Sequence, residues 1–294
     1  MPEGHTLHRL ATALDEAFVG RPVRASSPQG RFVESAALVD GRVLDRAEAY
    51  GKHLFLTFGE APAADVVHVH LGLYGRFDVH RGVDEVPGPV GQVRLRLVGP
   101  DPGHCDGAAY ADLRGATACE LLTLAERDAV LARLGPDPLR ADADPDRAWE
   151  RVRRSRAPVG GLLMDQAVVA GIGNVYRAEL LFRHRVDPFR PGRSLRARQW
   201  REMWDDLVAL MHDGVRTGRI DTVRPEHLTD AEAEQSGPRR GHSYVYRRAG
   251  EPCRVCGTRV RTQELQTRNL YWCPRCQRRY RGTDDSRRPG HVLE

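Results

Sequence analysis

Apolar residues along this chain follow two different periods, and the changes between them divide it into parts. Near the amino end they recur at helical spacing and stop at Gly20, which predicts an amphipathic helix over residues 6–19. From about residue 22 the period shortens to two in segments separated by Gly and Pro turns, such as residues 54–58, 66–70 and 92–98. The first half is therefore predicted to be an antiparallel β-sandwich or barrel with a helix packed against it.

A break at residues 134–139, Leu-Gly-Pro-Asp-Pro-Leu, ends the strand pattern, and the helical period returns beyond it. Helices are predicted over residues 148–154, 162–169, 175–184 and 195–211, and the last has an apolar side formed by Trp204, Leu207, Leu210 and Met211. Residues 221–242 are rich in Pro, Gly and charge, so we expect a mobile loop there.

The length of 294 residues is enough for more than one core. We expect an α+β protein with an N-terminal β-sandwich domain and flanking helices (residues 1–132) and a helical domain (133–242). A small hairpin module (243–282) follows, and the polar residues 283–294 are expected to be a disordered tail.

Four cysteines near the carboxyl end have the spacing C-x2-C-x16-C-x2-C, at Cys253, Cys256, Cys273 and Cys276. Thiolates two residues apart can bind one ion, and the interval is long enough for a β-hairpin that returns the second pair, which predicts one structural zinc. The alternative is chance spacing or disulfide pairing. Only Cys105 and Cys119 lie elsewhere, so there is no disulfide framework, and both are interpreted as structural thiols in a reducing compartment.

The charge of this module favours a nucleic-acid backbone as partner. Between residues 253 and 281 there is one acid, Glu264, against eight arginines, and the whole chain carries a net charge of +5. Of the 45 cationic residues only Lys52 is a lysine. A GC-rich genome explains the arginines; a site that needs a compact, reorientable ammonium would explain the exception.

A tight turn at residues 171–174, Gly-Ile-Gly-Asn, joins two predicted helices. Asn174 is expected to cap the second helix, whose exposed amides would suit a phosphate oxygen. The alternative is a purely structural turn.

The first residues are predicted to carry chemistry if the initiator methionine is removed. Pro2 would then be a secondary amine of low pKa that can attack an electrophilic carbon, and Glu3 could move the protons. Taken alone, Met-Pro-Glu is also a common N-terminal sequence with no catalytic role. The segment lacks the apolar run of a signal peptide, and no apolar stretch reaches 18 residues, so we expect a soluble cytoplasmic protein.

Two glycine-rich turns in the first half are further candidates. Lys52 follows Gly51 at the start of a predicted strand, so its ammonium could project from a hairpin tip into a cleft. Residues 70–76, His-Leu-Gly-Leu-Tyr-Gly-Arg, form a glycine-flanked loop that could wedge into a base stack, although an ordinary hairpin with core Leu and Tyr would read the same way.

Together these features resemble the formamidopyrimidine-DNA glycosylase and endonuclease VIII family of bifunctional base-excision-repair enzymes. The resemblance runs from Pro2 to about Gln277 and depends on the order of its motifs. After the Pro-Glu start these are Gly-Lys-His, His-Leu-Gly-x-x-Gly, Leu-Gly-Pro-x-Pro-Leu, Leu-Met-Asp-Gln (residues 163–166), Gly-Ile-Gly-Asn, Val-Tyr-Arg (residues 245–247) and Cys-Pro-x-Cys-Gln.

The resemblance implies a mechanism. Pro2 would attack C1′ of the damaged nucleotide and form a Schiff base, and β- and δ-elimination would then cut the strand. Glu3 would act as acid and base at the sugar, while Lys52 would contact a flanking phosphate. Asn174 and Arg268 are similar to the family's phosphate-gripping pair, and the target base would be flipped out.

Three departures from the formamidopyrimidine branch indicate the endonuclease VIII branch. Leu-Pro-Glu after the start is replaced by Gly-His-Thr at residues 4–6, Arg-Phe-Gly by Gly-Ala-Thr at 115–117, and Pro-Ile-Lys by Pro-Val-Gly at 158–160. Leu73 and Tyr74 would then fill the gap left by the flipped base, and oxidised pyrimidines become the favoured substrates. The hairpin tip lacks the family's glycine before Arg268, which leaves its turn geometry open.

Two rival interpretations remain. A non-catalytic protein that binds damaged DNA would explain the zinc and the arginines but not Pro2, Glu3 and Lys52 together. A zinc-ribbon transcription or translation factor explains only about the last 40 residues. We favour a bacterial, nucleoid-associated, monomeric enzyme that acts on damaged double-stranded or bubble DNA, with one structural zinc, no organic cofactor and no membrane association.

Overall fold

The computed structural model of this protein describes residues 2–59, 64–99, 107–228 and 242–282. Among the helices in these ranges, none combines the length and the hydrophobicity of a membrane-spanning segment. The first half contains α1 (Gly4–Phe18), α2 (Val33–Val39) and α3 (Leu124–Ala132). Its strands are β1 (Pro22–Ser26), β2 (Arg42–Tyr50), β3 (His53–Phe58), β4 (Asp65–His70), β5 (Arg76–Val83), β6 (Val93–Val98), β7 (Ala108–Arg114) and β8 (Ala118–Thr123).

The eight strands pair antiparallel in the order β5-β7-β6-β1-β2-β3-β4-β8. Strand β1 belongs to both halves, because Pro22 and Val23 pair with β2 whereas residues 24–26 pair with β6. A strand that changes partner in this way forms the corner of a sandwich. Helix α1 packs its buried stripe into the same core as strands from both halves, and the predicted helix and antiparallel sheet are confirmed.

Two helices of this half were not predicted. Helix α2 is only seven residues long, too short to show a period. Helix α3 has no fully buried residue, and Thr123 and Glu126 form a capping box at its start. That T-x-x-E pattern was the available signal.

The second half contains α4 (Pro145–Val152), α5 (Val159–Leu162), α6 (Asn174–Arg183) and α7 (Ala197–Thr217). The helix predicted over residues 162–169 is wrong, because α5 ends at Leu162 and turns follow. Gln166 stabilises these turns: its side chain donates to the carbonyls of Met164 and Ile172 and accepts from the amide of Gly171. The apolar side predicted for α7 is buried as expected.

The C-terminal module carries a hairpin of β9 (Arg261–Leu265) and β10 (Arg268–Trp272). Gln266 and Thr267 connect them with φ of 54° and 58°. Two consecutive left-handed residues are typical of a type I′ turn, so the hairpin closes without glycine. The predicted tail at 283–294, Cys105 and residues 229–241 of the predicted mobile loop lie outside the described residues.

Candidate active site and DNA interface

The carboxylate of Glu3 is fully buried at the N-terminus of α6. It accepts hydrogen bonds from the amides of Gly173 (2.9 Å), Val175 (2.8 Å) and Tyr176 (3.3 Å). The free amides and positive dipole of a helix N-terminus favour an anion there, and Glu3 supplies it. The expectation that these amides bind a phosphate is therefore wrong, because they already bind Glu3. The expectation that Asn174 caps the helix is also wrong, since Gly173 is the capping residue.

Glycines allow three segments of the site to approach closely: the N-terminal residues up to Gly4, the turn at Gly51 and the turn at residues 171–174. The amide of Gly4 donates to the carbonyl of Gly171 at 2.8 Å. A Cβ atom on Gly51 would lie 2.9 Å from the Cβ of Ala170, and one on Gly173 would lie 2.4 Å from the Cδ of Glu3. Any side chain at these positions would separate the turns, so the glycines bring Glu3 and Lys52 together.

The charges of Glu3 and Lys52 influence each other in this site. Burial raises the pKa of Glu3, while Lys52 and the three amides oppose that shift. Burial likewise lowers the pKa of Lys52; Glu3 opposes this, and the positive charges of Arg268 and Arg177 add to it. Both shifts favour the neutral forms, so the pair is suited to exchanging protons with a substrate.

Asp137 holds the turn that carries Lys52. Its buried carboxylate accepts from the amide of Gly51 (2.7 Å), from Nε2 of His8 (2.7 Å) and from the amide of Leu139 (3.0 Å). The motif at residues 134–139 contains Asp137, but its charge gave no hint that it faces inward. This carboxylate is a positioning group that the sequence did not single out.

Asn174 connects α6 to the zinc hairpin. Its Nδ2 donates to the carbonyl of Asn269 at 2.9 Å, and its Oδ1 accepts from the guanidinium of Arg177. Arg177 is fully buried and also donates to the carbonyls of Gly160 and Leu265, both at 3.4 Å, and burial lowers its pKa to about 10. Asn174 and Arg177 thus connect the N-terminus of α6 to the hairpin that carries Arg268. The sequence analysis did not identify Arg177.

Pro2 lies in a groove of about 400 Å³ beside the loop of residues 70–76. Leu73 is half-buried in this groove, whereas Tyr74 is 90% exposed. Both contribute to its wall with Leu10 and Leu71. The two candidates for filling a gap in DNA therefore lie next to the candidate nucleophile.

The four cysteine sulfurs form a compact cluster, with all ligand atoms within 4.8 Å of one another. The Sγ atoms of Cys253 and Cys276 are 3.9 Å apart, and those of Cys256 and Cys273 are 3.5 Å apart. A tetrahedral zinc with bonds of about 2.3 Å requires sulfurs separated by about 3.8 Å. The donor set fits one structural zinc, as predicted.

Glu179 fixes the chain where it enters this module. Its fully buried carboxylate accepts from the amides of Tyr244 (2.7 Å), Val245 (2.9 Å) and Tyr246 (2.8 Å). The next residue, Arg247, has a φ of 57°. The Val-Tyr-Arg motif is therefore the segment that one buried acid of α6 holds, and no sequence signal marked Glu179 itself.

Family models match most of the chain. Residues 1–119 match the formamidopyrimidine-DNA glycosylase N-terminal domain, residues 134–225 its H2TH domain, and residues 250–279 the zinc finger found in FPG and IleRS. Endonuclease 8 1 of Mycobacterium tuberculosis is 56% identical over 279 residues, covering 94% of this chain and all of that protein. The formamidopyrimidine-DNA glycosylase of Geobacillus kaustophilus is 32% identical over 83% of this chain and 84% of its own.

Solved structures agree on the fold. The complex between the Lactococcus lactis Fpg and an abasic-site-containing DNA has a TM-score of 0.72 at 19% identity, covering 94% of this chain and all of that one. The fold, the zinc site and the related sequences define a DNA glycosylase with AP lyase activity that acts in base-excision repair. The chain belongs to the formamidopyrimidine-DNA glycosylase and endonuclease VIII family, and the resemblance to its endonuclease VIII branch is confirmed.

Proposed function

We propose that the nitrogen of Pro2, freed by removal of Met1, is the nucleophile of the enzyme. It attacks C1′ of the damaged nucleotide and the C1′–N bond to the base breaks; the nitrogen then loses its proton, and the C1′–O4′ bond of the sugar ring breaks as an iminium double bond forms between the nitrogen and C1′. Abstraction of a C2′ proton expels the 3′ phosphate, and a second elimination expels the 5′ phosphate. The observation that carries this proposal is the buried Glu3 carboxylate, which follows Pro2 directly and is anchored by three amides of α6.

Glu3 is the group that moves protons in these steps. Its raised pKa means that the carboxyl group holds a proton more readily than an exposed glutamate does. It can therefore donate a proton to the sugar ring oxygen as the ring opens, and the resulting carboxylate can accept one later. The three amides hold the carboxylate in a fixed orientation.

Lys52, Asn174 and Arg268 bind the phosphates beside the lesion in this proposal. Lys52 and Arg268 lie close enough for the charge of Arg268 to lower the pKa of Lys52. Two cations held that near each other repel, and a phosphate between them removes the repulsion. Asn174 supports this grip through the hairpin, because its Nδ2 is bonded to the residue after Arg268.

Oxidised pyrimidines are the proposed substrates, with Leu73 and Tyr74 filling the gap in the duplex. The short turn at residues 115–117 packs against the loop that carries both side chains: the amide of Thr117 donates to the carbonyl of His70 at 2.9 Å. A Cβ on Gly75 would lie 3.0 Å from the Cα of Ala116. The turn at residues 115–117 contains only Gly, Ala and Thr, so it has no large side chain to fill a gap. The large exposed side chain beside it is Tyr74 of the 70–76 loop.

The proposed partner is damaged DNA in duplex or bubble form, bound by a monomer. Because such DNA is chromosomal, we also propose that the enzyme works in the bacterial cytoplasm in association with the nucleoid.

Borohydride reduction with a duplex that contains dihydrouracil tests the proposal. Borohydride converts an iminium to a stable amine, so the wild-type protein should form a covalent complex with the DNA, and Pro2→Gly should form far less. Binding without adduct or strand cleavage would instead support the non-catalytic damaged-DNA-binding protein. Excision of 8-oxoguanine opposite cytosine with no activity on oxidised pyrimidines would contradict the substrate assignment alone.

A further inference from the structure

A second groove, of about 520 Å³, lies between the zinc module and the segment that follows α6. None of Pro2, Glu3, Lys52, Asn174 and Arg268 lines it. Along β10, Trp272 in this groove is four residues from Arg268, a distance of about 13 Å in an extended strand. The groove is lined in part by aromatic and cationic side chains, namely Phe189, Arg190, Arg261, Trp272, Arg279 and Tyr280.

The aromatic rings of this groove are held in fixed positions but remain accessible. Phe189 and Trp272 pack edge to face, with centroids 5.1 Å apart and an interplanar angle of 83°. The guanidinium of Arg190 lies 4.7 Å above the ring of Tyr280, and its Nε donates to the hydroxyl of Ser194 at 3.0 Å. Tyr280 is 38% exposed, and Phe189 and Trp272 are partly exposed. Rings of this kind form a stacking surface for bases.

The charge in the groove is positive. Arg261 pairs with Trp272 across the hairpin, so both side chains leave the same face. Arg261 and Arg279 are exposed, and neither forms an ion pair with another residue in the described part of the chain. The acid of the groove, Asp187, already accepts hydrogen bonds from the amides of Phe189 (3.0 Å) and Tyr280 (2.8 Å).

We propose that this groove is a second nucleic-acid site, which binds a segment of single-stranded DNA. Bases stack on Trp272 and Tyr280, and Arg261 and Arg279 neutralise the phosphates on either side. Accessible aromatic rings beside exposed arginines suit single strands, because every base has a face that can stack and every linkage carries a charge. This proposal does not depend on the catalytic roles proposed above for Pro2, Glu3 and Lys52.

A ternary complex tests this site directly. The zinc-loaded protein is first saturated with a duplex that contains a tetrahydrofuran abasic analogue, and a fluorescent oligothymidylate is then titrated while its anisotropy is followed. The oligonucleotide is expected to bind without releasing the duplex. Arg261→Glu/Arg279→Glu should weaken this binding about tenfold or more, since two phosphate contacts become repulsive.

The matched control is Arg31→Glu/Arg151→Glu. Both arginines are exposed, neither lines the groove, and the change in net charge is the same. This variant should bind oligothymidylate within about twofold of the wild type. Equal losses in the two double variants would overturn the proposal, as would simple competition between oligonucleotide and duplex for one site.

Tryptophan fluorescence provides a second measurement. Stacking of a base on Trp272 should quench emission in the wild type, and Trp272→Phe should lose most of that quenching while keeping its zinc and melting temperature. Trp200 and Trp204 are buried in the helical core, and Trp149 is partly buried against the same core and does not line the groove, so the loss of quenching in Trp272→Phe isolates the response of Trp272. A polyglutamate peptide that displaces the oligonucleotide and binds more tightly would assign the groove to an acidic protein instead. Borohydride trapping by Arg261→Glu/Arg279→Glu should be unchanged, so the two proposals fail independently.

Discussion

At the scale of single residues, the proposed chemistry depends on where the side chains of Glu3 and Lys52 lie. Burial raises the pKa of Glu3 and lowers that of Lys52, and each partly compensates the other. The N-terminal dipeptide predicted Glu3 as a proton carrier, but nothing in it predicted three amide partners contributed by residues 173–176. The nearest of those amides is 170 residues away along the chain, and local patterns carry no information at that separation.

Replacement of Glu3 by Gln should lower the single-turnover rate of base excision at least about 100-fold, because proton transfer to the sugar is lost. The amide group of Gln would also face backbone N–H donors, which costs about 1–3 kcal/mol of stability. Glu3→Asp keeps the acid but shortens its reach, so it should recover part of the rate. A Glu3→Gln enzyme with normal excision would contradict the role of Glu3.

The same substitution should change the pH dependence of stability. Because the folded pKa of Glu3 lies above its usual value of 4.5, the folded state holds this proton more tightly than the unfolded state. The free energy of unfolding should therefore fall as pH rises from about 4.5 through the folded pKa. Urea titrations across that range should show a smaller fall for Glu3→Gln than for the wild type, and identical slopes would contradict the shift.

Lys52→Arg tests whether the one lysine of the chain is required. Arginine keeps the charge but is larger and stays protonated, so excision should slow at least about tenfold while the melting temperature changes little. Single-turnover kinetics near neutral pH measure this effect. A wild-type rate would mean that the lysine reflects no special need at this position.

At the scale of elements, the site is a meeting of turns. The glycine-rich turns at residues 51–52 and 171–174 were recognised from sequence because Gly marks turns well. Their mutual contact, and the bonds from Asp137 to Gly51 and from Gln166 to Gly171, became visible only in three dimensions. The predicted helix over residues 162–169 failed for the same reason, since the side chain of Gln166 replaces helical hydrogen bonds there.

Gly173→Ala should displace Glu3 from the N-terminus of α6. Its Cβ would lie 2.4 Å from the Cδ of Glu3, so the carboxylate must move and excision should fall at least about tenfold, with a loss of stability. Gly88→Ala is the matched control, because nothing lies within 4 Å of its added Cβ. Equal rates in the two variants would show that the close approach of Gly173 to Glu3 is not needed.

At the scale of the whole molecule, the order of the motifs along the chain predicted the family, which no single motif could do. The α+β class, the antiparallel sheet and the zinc hairpin are confirmed, because strand alternation and cysteine spacing are strong local signals. The buried groups that unite the parts are Glu3, Asp137, Arg177 and Glu179, and all four are ionisable. A charged residue normally lies at the surface, so hydrophobic patterning could not identify Asp137, Arg177 and Glu179 as buried.

Zinc removal should loosen one end of this arrangement. Without the metal, the cysteine cluster no longer fixes the hairpin, and the contact between Asn174 and Asn269 is weakened. Treatment with a chelator should lower the melting temperature and the affinity for abasic duplex, and zinc should restore both. An unchanged affinity after verified zinc loss would contradict the role of the hairpin in holding DNA.

The central claim is that an amine at the processed N-terminus performs the chemistry. Peptide mapping by mass spectrometry of the borohydride-trapped complex tests it most directly, since Pro2 and Lys52 lie in different peptides and no other lysine exists in the chain. We predict that the DNA remnant is attached to an N-terminal Pro2 with Met1 absent. A remnant on Lys52, or an adduct on chains that retain Met1, would contradict the account.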